Sequence, residues 1–361
     1  MHLVYARFHR MNTNQEARPI LGPHQNSNWE FRILDMKQIH KLAVVSVTTL
    51  TFATAAWADE VITFAEADTM TGESLIHLIA FERAKERGVE AEVISLQSDD
   101  LVFQAVLNGQ VEVGVGSAYA AMQTLGEDAP VRNFYQLRRL AFFPVVDKTQ
   151  ITSWQDLDGQ PITVHARGSG TEAIASYMEF IHDIKFSEMS FVPGSEVRGV
   201  ALRRGTINAT FLDITNTRLV MADDPERFGL LELGDIDGSD SLLFARSDFM
   251  EERADDMQIL VEELMRVAAQ INADPTMPAR VREEMGLLPD LPQELVDEIT
   301  PYYEIAVGSG LFAEDGGGMV AALGDFDFLT QSGALTGDPA DLDPAAFWNF
   351  DLLEKATAAL Q

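Results

Sequence analysis

The chain has 361 residues, of which 57 are acidic and 26 basic, and its formal net charge is −31. Such an acidic surface repels nucleic acids and anionic lipids, so neither is expected as a partner. The absence of cysteine excludes disulfides, a thiol nucleophile and a thiolate metal site. The hydrophobic content of 46% still permits a stable core, so we expect a globular protein that folds without cross-links.

Residues 36–58 have the pattern of an export signal. A short basic segment, residues 36–41, precedes an apolar run over residues 42–56 that is shorter than the roughly 20 residues needed to cross a bilayer. Small residues, Ala56 and Ala58, stand where a signal peptidase cuts. We expect cleavage after Ala58 and a periplasmic protein of a Gram-negative bacterium. Residues 1–35 are interpreted as an upstream start assigned in error.

The chain after the signal begins with strands and helices in strict alternation. The hydrophobic patterns predict strands at Val61–Ala67, Ala91–Leu96 and Val111–Val115, with helices at Ser74–Arg87 and Asp100–Leu107 between them. A strand–helix–strand connection of this kind gives parallel strands joined by right-handed crossovers. The first part of the chain is therefore predicted to form an α/β lobe.

The same pattern returns at an offset of 96 residues. Residues 105–111, AVLNGQV, fall on residues 201–207, ALRRGTI, and in each copy a helix ends before a glycine turn. The second copy predicts a strand, helix, strand, helix and strand at Pro161–His165, Gly170–Ile181, Met189–Val192, Glu196–Arg203 and Ala209–Leu212. Two copies at this spacing indicate two sister lobes rather than a solenoid.

Two apolar segments, Leu140–Val146 and Ser241–Ala245, flank the second copy and are interpreted as a two-strand hinge. The chain then becomes helical. The predicted helices of this tail are Phe249–Ala273, Pro278–Met285, Pro292–Ser309, Met319–Gln331 and Pro344–Leu360. Lobe 1 is expected to contain residues 59–143 and 245–361, and lobe 2 residues 144–244.

In open α/β sheets, ligands bind beyond the carboxyl ends of the strands. In this chain, those positions belong to six matched loops that should face one cleft between the lobes. The candidate ligand-binding residues in or beside these loops are Asp68, Thr71, Ser117, Tyr119, Arg167, Ser169, Gly170, Thr171, Glu196, Arg198 and Asp213. No catalytic residue, metal site or cofactor is predicted.

The most specific of these loops is the turn Gly168–Thr171. Its small residues and the free N–H groups at a helix start suit an oxyanion, and Arg167 beside it could hold a carboxylate or sulfonate through paired hydrogen bonds. The simpler interpretation is a helix start capped by a hydroxyl, with no ligand involved. Glu196 and Asp213 could accept hydrogen bonds from an amine or hydroxyl at the other end of the ligand. They could also only stabilise helix starts.

Arg198 could belong to the pocket or pair with Glu196 at the surface. Ser117 and Tyr119 occupy the place in the first lobe that Asp213 and its neighbours occupy in the second, although Tyr119 could also pack in the core. The histidines after residue 58 show no metal-ligand spacing, and no nucleophile elbow is present. A secreted hydrolase that uses Glu196 or Asp213 as a base remains an alternative. The lack of an activated nucleophile argues against it.

Several features together resemble a known family. The export signal, the repeated helix–glycine turn–strand pattern, the segment SWQDLDG at residues 153–159 and the Gly168–Thr171 turn are similar to the periplasmic solute-binding proteins of ABC importers. The nearest branch contains the taurine, sulfonate and nitrate receptors and the thiamine-pyrimidine-precursor group. The cysteine-rich iron motif of the eukaryotic pyrimidine synthases in this superfamily is absent.

The resemblance implies a type II, two-lobed binding protein that closes over a small molecule and delivers it to an ABC permease and its ATPase. It also implies that Ser117, Asp213 and the Gly168–Thr171 turn contact the ligand. The protein is expected to be a monomer without enzymatic activity, and its ligand a small organic anion. Two alternatives stay open: a neutral heterocycle such as a pyrimidine as the ligand, and a TRAP transporter of the TAXI type as the partner.

Overall fold

A computed structural model describes residues 61–361 with the exception of Gln97, Glu127 and Asp235. The predicted signal and the residues before it lie outside this part of the chain. The described strands are β1 Ile62–Glu66, β2 Ala91–Ser95, β3 Val113–Gly116, β4 Val131–Arg139, β5 Phe143–Asp147, β6 Pro161–Val164, β7 Glu188–Phe191, β8 Ala209–Leu212, β9 Phe228–Leu230 and β10 Ser239–Arg246.

The described helices include those of both repeats and of the C-terminal tail. They are α1 Leu75–Glu86, α2 Asp99–Leu107, α3 Tyr119–Leu125, α4 Gly170–His182, α5 Ser195–Arg203, α6 Ile214–Asp223, α7 Ser247–Glu252, α8 Ala254–Ala273, α9 Met277–Met285, α10 Gln293–Asp297, α11 Ile299–Gly308, α12 Gly318–Gln331 and α13 Asp351–Leu360. Short 3₁₀ turns occur at Gly72–Ser74, Trp154–Leu157, Pro339–Asp341 and Pro344–Ala346. Within the described residues, no helix is both long and apolar enough to span a bilayer.

The strands form two separate five-stranded sheets. The first has the order β2-β1-β3-β10-β4 and the second β7-β6-β8-β5-β9. In each sheet the first three strands are parallel, and the fourth runs antiparallel to both of its neighbours. The fourth strand is β10 in one sheet and β5 in the other, so each sheet includes a strand that directly adjoins a crossing between the sheets. This arrangement agrees with the predicted two-lobed α/β fold and two-strand hinge.

The repeat in the sequence is a repeat in the structure. Helix α2 and helix α5 stand 96 residues apart at both ends, and strands β3 and β8 do the same. The offset holds because the helix, glycine turn and strand have the same length in both copies. Between the repeats the structure adds helix α3 and the long strand β4, for which no element was predicted.

The helical tail packs on the first sheet. Helix α8 lies against α1 and α13, and α12 contacts both β4 and α4. Two predicted long helices are interrupted: the first divides at Arg253 into α7 and α8, and the second at Glu298 into α10 and α11. The last predicted helix begins only at Asp351, after the 3₁₀ turn that Pro344 starts.

Close packing in the first sheet depends on one glycine. A Cβ atom on Gly114 of β3 would come within 2.3 Å of the Phe244 ring on the adjacent strand β10. Phe244 is buried and lies near Phe103 of α2, with the ring centroids 6.1 Å apart. The glycine therefore lets an aromatic side chain cover the strand and join the sheet to its helix.

Candidate ligand-binding site

A cavity of about 650 Å³ lies between the carboxyl ends of the two sheets. It is lined by residues at or after the ends of β1, β2, β3, β6, β7 and β8, and by the segment around α10 and α11. Arg138 of β4, residues 141–142 of the first crossing and residues 240–241 of β10 complete the lining. Of the sequence-predicted candidates, it contains Asp68, Thr71, Ser169, Gly170, Thr171, Glu196, Arg198 and Asp213. Both sheets therefore contribute to one site, as the strand-end rule predicts.

Three candidates lie elsewhere. Arg167 is exposed and stacks on the ring of Phe191, with its guanidinium carbon 4.4 Å from the ring centroid. Ser117 and Tyr119 line a second cavity of about 230 Å³. Tyr119 is only 1% exposed, and its hydroxyl donates to Oδ2 of Asp325 at 2.8 Å and accepts from Nε1 of Trp348 at 2.7 Å. Tyr119 is thus part of a buried network in the core.

The Gly168–Thr171 turn uses most of its polar groups internally. The Ser169 hydroxyl donates to the backbone oxygen of Ala166 at 2.7 Å, and the Thr171 hydroxyl accepts from the backbone N–H of His165 at 2.9 Å. The backbone N–H of Gly168 donates to Oε2 of Glu172 at 2.6 Å. An acidic side chain of the protein already occupies this helix start, so the predicted oxyanion site formed with Arg167 is not the arrangement that the structure has.

Arg198 is a structural clamp at the edge of the cavity. It is 1% exposed, and it donates to the backbone oxygen of Phe211 through Nε and Nη2, to that of Val192 through Nη1, and to the Ser195 hydroxyl through Nη2. A guanidinium has five N–H donors, so these four bonds leave one. Arg198 therefore joins the loops that follow β7 and β8, with little capacity left for a ligand anion.

Sequence reasoning missed the second guanidinium of the cavity. Arg138, near the end of β4, pairs with Glu73 at 3.1 Å and with Asp240 at 3.2 Å, and it also donates to the Ser241 hydroxyl at 3.0 Å. The sequence could have indicated Arg138 as a site residue, because it lies just before the predicted hinge segment Leu140–Val146. Because two carboxylates neutralise it, Arg138 does not make the cavity positive.

Carboxylates dominate the polar lining. The nine acidic residues at the cavity are Glu66, Asp68, Glu73, Asp99, Glu196, Asp213, Asp240, Asp290 and Glu298. Burial raises the pKa of Glu66 to about 7 and that of Asp99 to about 7. Burial, with Asp213 nearby, places the pKa of Glu73 well above its ordinary value. These shifts follow from crowding negative charges in a poorly solvated space.

Gly116 at the end of β3 makes room for one of these carboxylates. Its φ of +148° is unusual for a residue with a side chain, and a Cβ atom there would lie 2.5 Å from Oδ1 of Asp99. The strand end therefore needs glycine so that the Asp99 carboxylate can sit against the backbone at the cavity.

His165, at the end of β6, is neutral and buried. Burial, together with Arg198, lowers its pKa to about 4. Its Nδ1 accepts from the backbone N–H of Gly194 at 3.2 Å, so we assign its proton to Nε2. The Nε2 atom is buried without a hydrogen-bond partner.

The side of the cavity away from most of the carboxylates is largely apolar. Its residues are Met70, Phe142, Leu291, Leu295, Ile299 and Tyr302.

The two sheets, each with three parallel strands and a returning antiparallel strand, and a shared cavity at their strand ends define a type II periplasmic-binding fold. The NMT1/THI5-like family model matches residues 85–277, more than half of the chain. The chain belongs to this family. No curated protein sequence shows significant similarity to it.

Solved structures with this fold are similar along most of the chain. A ligand-binding component of an ABC-type import system from Staphylococcus aureus, with zinc bound, has a TM-score of 0.62 at 11% identity and covers 82% of this chain and 99% of its own. The nitrate-binding protein NrtA of Synechocystis PCC 6803 has a TM-score of 0.61 at 13% identity, with coverages of 83% and 89%.

A putative periplasmic sulfonate-binding protein, SsuA of Methylobacillus flagellatus KT, has a TM-score of 0.58 at 15% identity and covers 84% of this chain and 95% of its own. The identities are low, so these likenesses concern the fold. They agree with the predicted two-lobed binding-protein fold.

Proposed function

We propose that the protein is the substrate-binding component of an ABC-type importer and takes a small molecule into the cavity between its two sheets. The observation that carries this proposal is a single cavity of about 650 Å³ at the strand ends of both sheets. A volume of this size suits a small organic molecule. We further propose that the sheets mark the two lobes, with residues 61–139 and 239–361 in one and 143–230 in the other. The expected boundary at residues 244 and 245 would divide β10, which pairs along its length within the first sheet.

Closure of the lobes explains the contacts across the cavity. Nε of Arg218 in α6 donates to Oε2 of Glu298 beside α11 at 2.7 Å, and Oγ1 of Thr215 donates to Oε1 of Glu73 at 3.3 Å. Each contact joins residues of the second sheet's layer to residues of the first or its helical tail. Rotation about the two crossing segments, residues 140–142 and 231–238, would break and remake them.

The proposal includes export to the periplasm and delivery of the ligand to an inner-membrane permease driven by its ATPase. The family and the similar structures, among them components of import systems, support a transport role. A TRAP transporter of the TAXI type is the alternative partner, and the transport genes encoded beside this one distinguish the two. Sequencing the amino terminus of protein from the periplasm tests cleavage after Ala58.

The cavity lining changes the class of ligand that the sequence favoured. A small organic anion was expected to bind Arg167 and the Gly168–Thr171 turn, but Arg167 is outside the cavity and Glu172 occupies the turn. Both cavity arginines are engaged by the protein's own oxygen atoms. An anion would therefore enter an acidic space without a free cationic partner.

Thermal unfolding in the presence of a metabolite library tests the binding function. Protein exported to the periplasm should gain about 2.7 kcal/mol of stability at a ligand concentration one hundred times the dissociation constant. The Ala141→Trp variant is the control, because Ala141 is half-buried and lines the cavity. This variant should unfold cooperatively but show no ligand shift. If no compound of any class shifts the unfolding temperature, the proposed function is wrong.

A further inference from the structure

The charge inside the cavity is strongly unbalanced. Nine carboxyl groups and two guanidinium groups line it. Within the described residues, no arginine or lysine pairs with Glu66, Asp68, Asp99 or Glu196. A group of acidic residues is not by itself a site, since it can be a solvated surface. Here the group encloses a cavity between two sheets.

Two buried polar side chains of the cavity each have one atom without a hydrogen-bond partner. Glu66 is 5% exposed, and its Oε2 atom accepts no hydrogen bond, since the nearest basic group, Nε2 of His77, is 3.7 Å away. His165 is 6% exposed, and its Nε2–H group donates to no partner. Buried polar atoms are normally satisfied, because leaving them unpaired is destabilising. A ligand that donates to Glu66 and accepts from His165 would satisfy both.

A bare metal ion does not match the geometry. The described residues include no group of three or more His, Cys, Asp or Glu side chains placed to hold one. The cavity is also much larger than a metal ion needs, and one wall consists of Leu291, Leu295, Ile299, Tyr302 and other apolar side chains. The lining therefore suits a molecule that has both a polar donor group and an apolar body.

We infer that the ligand is an organic cation, in which a protonated nitrogen lies among the cavity carboxylates with Glu66 as an acceptor, and an apolar body packs against the wall formed by α10 and α11. This inference rests on the proposed function. His165 contributes specificity, because its Nε2–H donates to an acceptor atom on the ligand. Arg138 holds Glu73 and Asp240 in place by pairing with both.

The pH dependence of binding has opposite signs for a cation and an anion. Glu66 faces His77 of α1, Ser74, Arg138, Asp68 and Asp240, and burial raises its pKa to about 7, while that of His77 falls to about 3. A bound cation stabilises the ionised carboxylate, so its affinity should rise as the pH rises from about 5 to about 7. Glu73, Asp99 and Asp240 act in the same direction. An anion should lose affinity over that range.

Calorimetric titration of the exported protein with matched compounds tests the inference. One set shares a phenylethyl body: 2-phenylethylamine, 2-phenylethanol, 3-phenylpropionate and 2-phenylethanesulfonate. A library of larger cations, neutral compounds and anions extends it. Cations should bind, and the tightest cation should lose about thirtyfold or more in affinity in Glu66→Gln, because its charge partner is removed.

The control variant is Glu82→Gln, which makes the same charge change on the exposed face of α1, away from the cavity. It should leave affinity unchanged, and the pH dependence of the wild-type protein provides a readout that needs no variant. If anions or neutral compounds bind and cations do not, the cation inference is wrong while the proposed function stands. If no compound of any class binds, both are wrong.

Discussion

Thr215 and Glu73 meet across the cleft, where Oγ1 of Thr215 donates to Oε1 of Glu73 at 3.3 Å. Thr215 belongs to the start of α6 in the second sheet's layer, and Glu73 to the turn after β1 in the first. Arg138 pairs with the other carboxylate oxygen of Glu73 at 3.1 Å. One carboxylate therefore connects the contact between the layers to the charge network of the cavity.

The contact between Arg218 and Glu298 should control ligand release. Arg218→Ala removes an ion pair between the layers, so we expect several-fold faster ligand dissociation in stopped-flow measurements. The free energy of unfolding should change by less than about 1 kcal/mol, because partly exposed ion pairs contribute little. Arg280→Ala is the matched control, since the ion pairs of Arg280 among the described residues, with Asp274 and Glu284, lie within the tail. Equal dissociation rates in the two variants would contradict a closing role for Arg218.

Glu66 should destabilise the ligand-free protein at high pH. Its pKa in the fold is about 7, above the ordinary 4.5. A carboxyl group with a raised pKa contributes its full stability below pH 4.5 and loses that contribution as the pH rises through 7. Glu66→Gln should therefore raise the free energy of unfolding by about 1–3 kcal/mol at about pH 8, with no gain at about pH 4.5.

Urea unfolding at both pH values measures this effect. Glu82→Gln is the control and should leave the free energy of unfolding unchanged at either pH. A loss of stability in Glu66→Gln at high pH would show that the ionised carboxylate has a stabilising partner, contrary to the structure. Residues shaped for a ligand are often unfavourable in its absence.

Arg198 should contribute much more than Arg167 to the free energy of unfolding. Arg198→Ala leaves the buried backbone oxygens of Val192 and Phe211 without donors, so the free energy of unfolding should fall by about 3–5 kcal/mol. Arg167→Ala removes only an exposed stack on Phe191 and should cost less than about 1 kcal/mol. It should also leave ligand affinity unchanged. Denaturant titration compares the two, and similar losses would contradict the clamp role of Arg198.

The hydroxyl of Tyr119 should matter for stability and not for binding. Tyr119→Phe leaves Asp325 and Trp348 each short of one buried hydrogen bond, which should reduce the free energy of unfolding by about 1–3 kcal/mol. Tyr177→Phe is the control, because the Tyr177 ring makes an edge contact with Phe328 and its hydroxyl belongs to no described hydrogen bond. Weakened ligand binding in Tyr119→Phe would contradict this prediction and indicate that Tyr119 contributes to the binding site.

The sequence predicts the fold well because the repeat determines it. Helix α5 and strand β8 follow α2 and β3 at a constant offset, and a pattern that occurs twice is rarely accidental. The elements that were missed include the short α3 and β9 and the nine-residue strand β4, whose sequence VRNFYQLRR has polar residues along a mostly buried strand. The divided helices were missed because the apolar pattern continues through Arg253 and Glu298. Arg253 leaves the helical region, with φ −109° and ψ 32°, and Pro301 has no N–H to donate to the backbone oxygen of Asp297 across the second break.

The site was predictable only where it follows the strand-end rule. Asp68, Glu196 and Asp213 line the cavity because each follows a strand. Arg138 and Asp240 belong instead to antiparallel strands beside the crossings, and only pairing between β4 and β10 brings them together. Arg167 was misjudged because its direction depends on the turn, where the ring of Phe191 and the carboxylate of Glu172 replace the expected anion.

A crystal structure with the tightest-binding compound from the library tests the central claim most directly. The account predicts electron density for that compound inside the cavity, in contact with residues from both sheets and with its protonated nitrogen near Glu66. Density at the protein surface, or in the smaller cavity beside Tyr119 with the main cavity empty, would contradict it.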